Sequence, residues 1–93
     1  MAHQLEAYDE LAKQFKFQVS DYNKPIFGYI WKTFREGGTY NYYWELSHYC
    51  RLEYEAEPYR PGGKCFADTE VQATEFLMEY MKRFETAVDV HEN

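Results

Sequence analysis

Basic residues, cysteine, proline and glycine are all scarce in this chain of 93 residues, and each shortage closes off a class of protein. Ten Lys and Arg stand against sixteen Asp and Glu, a net charge of −6. Duplex nucleic acid is bound by Lys and Arg that displace its counterions, so this balance argues against direct nucleic-acid binding. The imbalance is also local. Residues 1–38 hold five acids and five bases, whereas residues 39–93 hold eleven acids and five bases. Two cysteines, Cys50 and Cys65, are too few for a disulfide framework, although one bridge between them is open. No CxxC or HxxxH spacing joins them, so His48, Cys50, Cys65 and His91 make a poor zinc set. No apolar run approaches the roughly 20 residues of a membrane helix, and "MAHQLEAYDE" lacks the basic and apolar regions of a secretory leader. The expectation is a cytoplasmic protein with no cofactor, no metal and no membrane partner.

What the chain has is rings. Ten Tyr, seven Phe and two Trp make one residue in five aromatic. Large rings contribute most of the buried area in a small core, and residues 1–93 fit one small domain. A buried Tyr also needs a partner for its hydroxyl, so several of the ten belong at least partly at the surface.

The most regular pattern is "TYNYYWELSHYCRLEYEAE", residues 39–57. Its even positions include Trp44, Leu46, His48, Cys50 and Leu52. Its odd positions include Tyr43, Glu45, Tyr49, Arg51, Glu53 and Glu55. Alternation of this kind places the two sets on opposite faces of a strand. Upstream, Leu5, Tyr8, Leu11, Ala12 and Phe15 fall on one helical stripe, which predicts a helix over residues 3–14. "FKFQV" then reads as a short strand, and "SDYNKP" as a turn. In "IFGYIWKTFRE" the apolar residues also fit a helical arc. Its many β-branched and aromatic residues, and Gly28 inside it, favour a strand. "EGGT" follows as a hairpin turn and "EPYRPGGK" as a loop. Thr69 with Gln72 forms a capping box, opening a helix over residues 70–86 whose apolar face is Ala73, Leu77, Tyr80, Met81, Phe84 and Val88.

This order predicts an α+β fold: a three-stranded antiparallel β-meander with N- and C-terminal helices, αβββα. The even face lies under the C-terminal helix. The neighbours of the odd face depend on hairpin register. If Arg35 opposes Tyr40, then Ile26, Ile30 and Phe34 lie beside Tyr43, Glu45 and Tyr49. A shift of one residue substitutes Phe27, Tyr29 and Trp31. Either way, several large apolar residues share the odd face with acids. Unless the N-terminal helix covers them, they form an aromatic patch rimmed by Glu45, Glu53, Glu55 and Glu57.

Chemistry has little to stand on. His48 and Cys50 share a strand face, but a Cys–His dyad needs an orienting group and an oxyanion donor, and the sequence shows neither. The carboxylates at 53, 55 and 57 have no buried partner to set up acid–base work. No enzyme is expected, and no residue is assigned as catalytic. Exposed rings on a sheet also serve single-stranded nucleic acids, but those platforms pair them with a basic groove, and here the rim is acidic. The partner is therefore a larger protein or complex with a basic surface. Tyr43 and Tyr49 would be its contacts, with Glu45, Glu53, Glu55 and Glu57 around them.

In size, acidity, aromatic content and αβββα layout, the chain resembles the stand-alone inhibitors that phages encode against host defences, such as anti-CRISPR proteins. That resemblance implies an inhibitor acting in a host cytoplasm, occluding a basic, nucleic-acid-handling surface. The alternative is a self-associating accessory module whose second sheet face is a homodimer interface.

Overall fold

The computed structural model describes residues 3–35, 40–61 and 65–93. The "EGGT" turn, and residues 62–64 of the "EPYRPGGK" loop, lie outside these. Two antiparallel sheets and one α-helix make up the described fold. Strands β1 (Ala7–Phe17), β2 (Ile26–Arg35) and β3 (Tyr40–Leu46) form a meander that β5 (Phe66–Ala67) extends, in the order β1-β2-β3-β5. Strands β4 (His48–Leu52) and β6 (Ala87–Glu92) form a second sheet. Helix α1 (Glu70–Met81) and a 3-10 turn (Lys82–Thr86) connect β5 to β6.

The αβββα expectation is overturned at the N-terminus. Residues 7–14 form a strand, not a helix, continuous with residues 15–17 of the expected "FKFQV" strand, and the whole of β1 pairs with β2 from Ala7↔Arg35 to Phe17↔Ile26. A bulge at Ala12 explains why the sequence hides this. Tyr8 and Glu10 share one face before the bulge, and Lys13, Phe15 and Phe17 share that same face after it. The one-residue slip breaks the period-two alternation, and what remains fits a helical stripe as well as a strand. Leu5, Tyr8 and Leu11 all stay exposed, so a helix with that stripe would gain little here. The open edge of β2 offers a full ladder of backbone hydrogen bonds instead.

The long strand read over residues 40–56 divides at Ser47. The Ser47 amide still reaches Phe27 O (2.9 Å), and Ser47 Oγ accepts from the Phe27 amide (2.8 Å). Pro25, just before β2, has no N–H to continue the ladder. Running out of partner, the chain passes to β6, where His48 opposes Glu92 and Cys50 opposes Val90. The change of partner leaves the side-chain phase intact. Trp44, Leu46, His48, Cys50 and Leu52 are all buried, as the even face requires.

Helix α1 closes that face. Thr69 Oγ1 accepts from the Gln72 amide (3.0 Å), and the Gln72 side chain reaches back to the Asp68 amide (2.8 Å). Ala73, Leu77, Tyr80 and Phe84 then pack on Ile26, Ile30, Trp44 and Leu46, with Met81 partly buried beside them. The chosen point of contact is Gly28. A Cβ there would lie 3.0 Å from Leu77 Cδ1 and 3.1 Å from Phe17 Cε2, so the missing side chain is what lets the helix approach. The predicted helix ends five residues early. The 3-10 turn changes the period, and Val88, read as helical core, is a half-exposed residue of β6.

Candidate functional site: an open aromatic ladder

Register decides what the second face of the large sheet displays. β2 and β3 pair as Phe34↔Tyr40 and Trp31↔Tyr43, one residue away from the Arg35–Tyr40 alternative. Ile30 therefore turns to the core beside Trp44, and Tyr29 and Trp31 turn outward beside Glu45 and Tyr43. Leu11 opposes Trp31 in β1, and Phe66 opposes Tyr43 in β5. The result is one cross-strand row, Leu11–Trp31–Tyr43–Phe66, spanning all four strands on the face away from α1.

The rings touch along the row. Trp31 stacks on Tyr43 with centroids 6.3 Å apart and planes 21° apart, and Tyr43 meets Phe66 edge-on at 5.8 Å. Tyr29 adds a further contact to Trp31 at 6.2 Å. Trp31 and Tyr43 are half-buried in one another, whereas Leu11 and Phe66 remain 42% and 44% exposed. Carboxylates flank the row on both sides, Asp9 beyond Leu11 on β1 and Glu45 on β3 next to Tyr29. The Tyr43 hydroxyl donates to Asp9 Oδ2 at 3.0 Å. Burial first, and then that bond, push the Tyr43 phenol up to about 12. The shielded indole N–H of Trp31 meets no acceptor among the described residues, an unpaid desolvation within the face.

Of the residues expected to contact a partner, only Tyr43 and Glu45 stand on this face. Tyr49 lies in the small sheet, stacked on His91 at 5.1 Å with the Arg60 guanidinium over its ring at 5.4 Å. Glu53 and Glu57 are exposed, but in the turn and bend that follow β4. Glu55 folds inward, where its carboxylate takes Arg83 at 2.6 and 3.1 Å and the Leu52 amide at 2.8 Å. Those contacts, led by Arg83, hold its carboxyl below the ordinary range. Arg83 thus finds its partner in the loop after β4.

Neither chemistry considered for His48 gains from the geometry. His48 and Cys50 are buried side by side on β4, and His91 lies across from Tyr49 on the opposite face of that sheet. The cysteines form no disulfide, and burial raises both thiols. No family model matches this chain, no curated protein matches its sequence, and no solved structure matches its fold.

Sequence reasoning missed Asp9, Leu11 and Phe66. The first two were hidden by the bulge. Phe66 sits in a strand of two residues, too short to show any alternation.

Proposed function

We propose that the protein is a small binding module that docks a larger protein through the Leu11–Trp31–Tyr43–Phe66 ladder. The observation that carries this is an apolar row crossing the whole sheet, exposed at Leu11 and Phe66 and bracketed by Asp9 and Glu45. Apolar rings with an acidic surround favour a partner with an apolar patch set in a basic surface. Blocking such a surface is inhibition in the simplest sense. The anti-CRISPR likeness gives no further support, because it leaned on the αβββα layout that the structure replaces. Self-association through the same face is disfavoured by charge. A two-fold interface would bring Asp9 and Glu45 of both copies together on a chain that already carries −6.

Leu11→Asp and Tyr43→Ala test this, with the paired charge reversal Asp9→Lys and Glu45→Lys. Leu11 is exposed enough for its replacement to leave the fold intact. A partner retained on the immobilised parent protein should be lost from both apolar variants, with a penalty of about 1–3 kcal/mol each. The charge reversal should slow association most at low salt. Equal retention of the partner by Leu11→Asp and by the parent would sink the proposal. Light scattering on the parent alone separates it from a homodimer.

A further inference from the structure

Past its last ring, the ladder meets a cavity of about 540 Å³ at the sheet edge. Trp44, Tyr59, Phe66, Phe76, Tyr80 and Arg83 line it, with Glu79 at the mouth. Its size falls within the roughly 300–1,000 Å³ of ordinary ligand pockets. Three of its rings are unusually open for residues of their size: Tyr59 is 56% exposed, Phe66 44% and Phe76 39%. Single exposed rings are commonplace, but three around one concavity are not.

The charges inside select the occupant. The Arg83 guanidinium lies over the rings of Tyr59 (5.2 Å) and Tyr80 (5.0 Å), so two of the faces that would attract a cation are taken. An anion gains little, because Glu55 already neutralises Arg83 at 2.6 Å. A neutral ring remains. Glu79, exposed at the mouth, supplies an acceptor, which favours a ring carrying an N–H donor. Phe66 joins this cavity to the ladder, since the same ring walls the pocket and meets Tyr43 at 5.8 Å.

We infer that this cavity receives a tryptophan side chain of the partner, as the buried anchor of the interface. The inference rests on the ladder being a protein-docking face, but its test does not need the partner. Interface hot spots are enriched in tryptophan, and an indole seated here would cover the exposed rings of Tyr59, Phe66 and Phe76 from water.

The test is a titration of the isotope-labelled full chain with N-acetyl-tryptophanamide, followed by amide chemical shifts. Saturable shifts centred on Cys65, Phe66, Phe76 and Glu79 are expected, at about millimolar affinity for an isolated side chain. Phe76→Glu should weaken binding at least about tenfold, and Leu5→Ala, exposed and outside both the ladder and the cavity, should leave it unchanged. Tetramethylammonium and indole-3-acetate, the cationic and anionic probes, should bind more weakly. Absence of saturation, equal binding to Phe76→Glu, or preference for the cation overturns the inference. Failure of the ladder variants to lose the partner, with this titration intact, overturns the docking reading alone.

Discussion

The Tyr43 hydroxyl reaches from β3 to the Asp9 carboxylate on β1, passing over the strand between them. Trp31 and Thr33 of that middle strand lie beneath the crossing, and Thr33 is only 6% exposed on a face otherwise open to solvent. One side chain thus ties three strands together and shields the backbone of the middle one.

Tyr43→Phe removes only the hydroxyl. Its ring keeps the Trp31 stack, so the expected loss is that of one charge-assisted bond at the surface, about 0.5–1.5 kcal/mol in urea unfolding. The alkaline limb is more specific. Tyr43 and Tyr80 both titrate near 12 in the folded protein, above their usual 10, so folding favours the protonated phenols. That stability is complete below pH 10 and is lost as pH rises toward 12. Tyrosinate absorbance should lose one late-titrating group in Tyr43→Phe relative to the parent.

Gly28 and Leu77 should behave as one unit. Leu77→Ala empties a fully buried site and should cost about 2–5 kcal/mol. Gly28→Ala should cost about 1–3 kcal/mol, because its Cβ is pressed to 3.0 Å from Leu77 Cδ1. In the Leu77→Ala background the closest of those contacts is gone, while Phe17 Cε2 at 3.1 Å and Leu46 Cδ2 at 3.3 Å remain. The added methyl should then cost less than in the parent, and a double-mutant cycle from chemical denaturation reads the coupling directly. Additive losses would show that the helix does not rest on Gly28.

His48 should set an acid limit distinct from that of the carboxylates. Its Nδ1 shares a hydrogen bond with Ser47 Oγ at 2.7 Å, and its buried Nε2 has no partner among the described residues. Tyr22 meets the ring edge-on at 5.4 Å, and the Lys24–Glu92 pair stands nearby. Burial lowers the imidazole below its usual 6.5, while Glu92 opposes and Lys24 adds to that shift. A depressed value means stability that is present above 6.5 and is lost as pH falls below it. The urea midpoint should drop as pH falls below 6.5, a step that His48→Gln removes. An unchanged step in the variant would assign it to other groups.

The period-two pattern from Trp44 to Leu52 was legible because burial on one face dictates it, whatever strand lies alongside. The same holds for Thr69 and the stripe from Ala73 to Phe84, where local capping and helical spacing agree. What stayed illegible depends on distant pairing. Residues 7–14 have helix-compatible spacing, and only the free edge of β2 makes them a strand. Val88 continues the helical stripe on paper, but β4 lacks a partner after Ser47 and draws residues 87–92 into one. The expected contact set failed to gather for the same reason. Tyr43 and Tyr49 share a phase in the sequence, yet the change of partner at Ser47 sends them to different sheets.

The bulge at Ala12 bears on how these molecules behave in a crowd. β1 is an eleven-residue edge strand whose outer backbone groups meet no ladder among the described residues. A straight edge of that length is a template on which identical chains stack without limit. The extra residue kinks the strand midway and breaks any long run of matched donors and acceptors. Glu10, exposed beside the kink, puts charge next to the edge another strand would have to join. The same irregularity that conceals the strand in the sequence guards the protein against its own polymerisation.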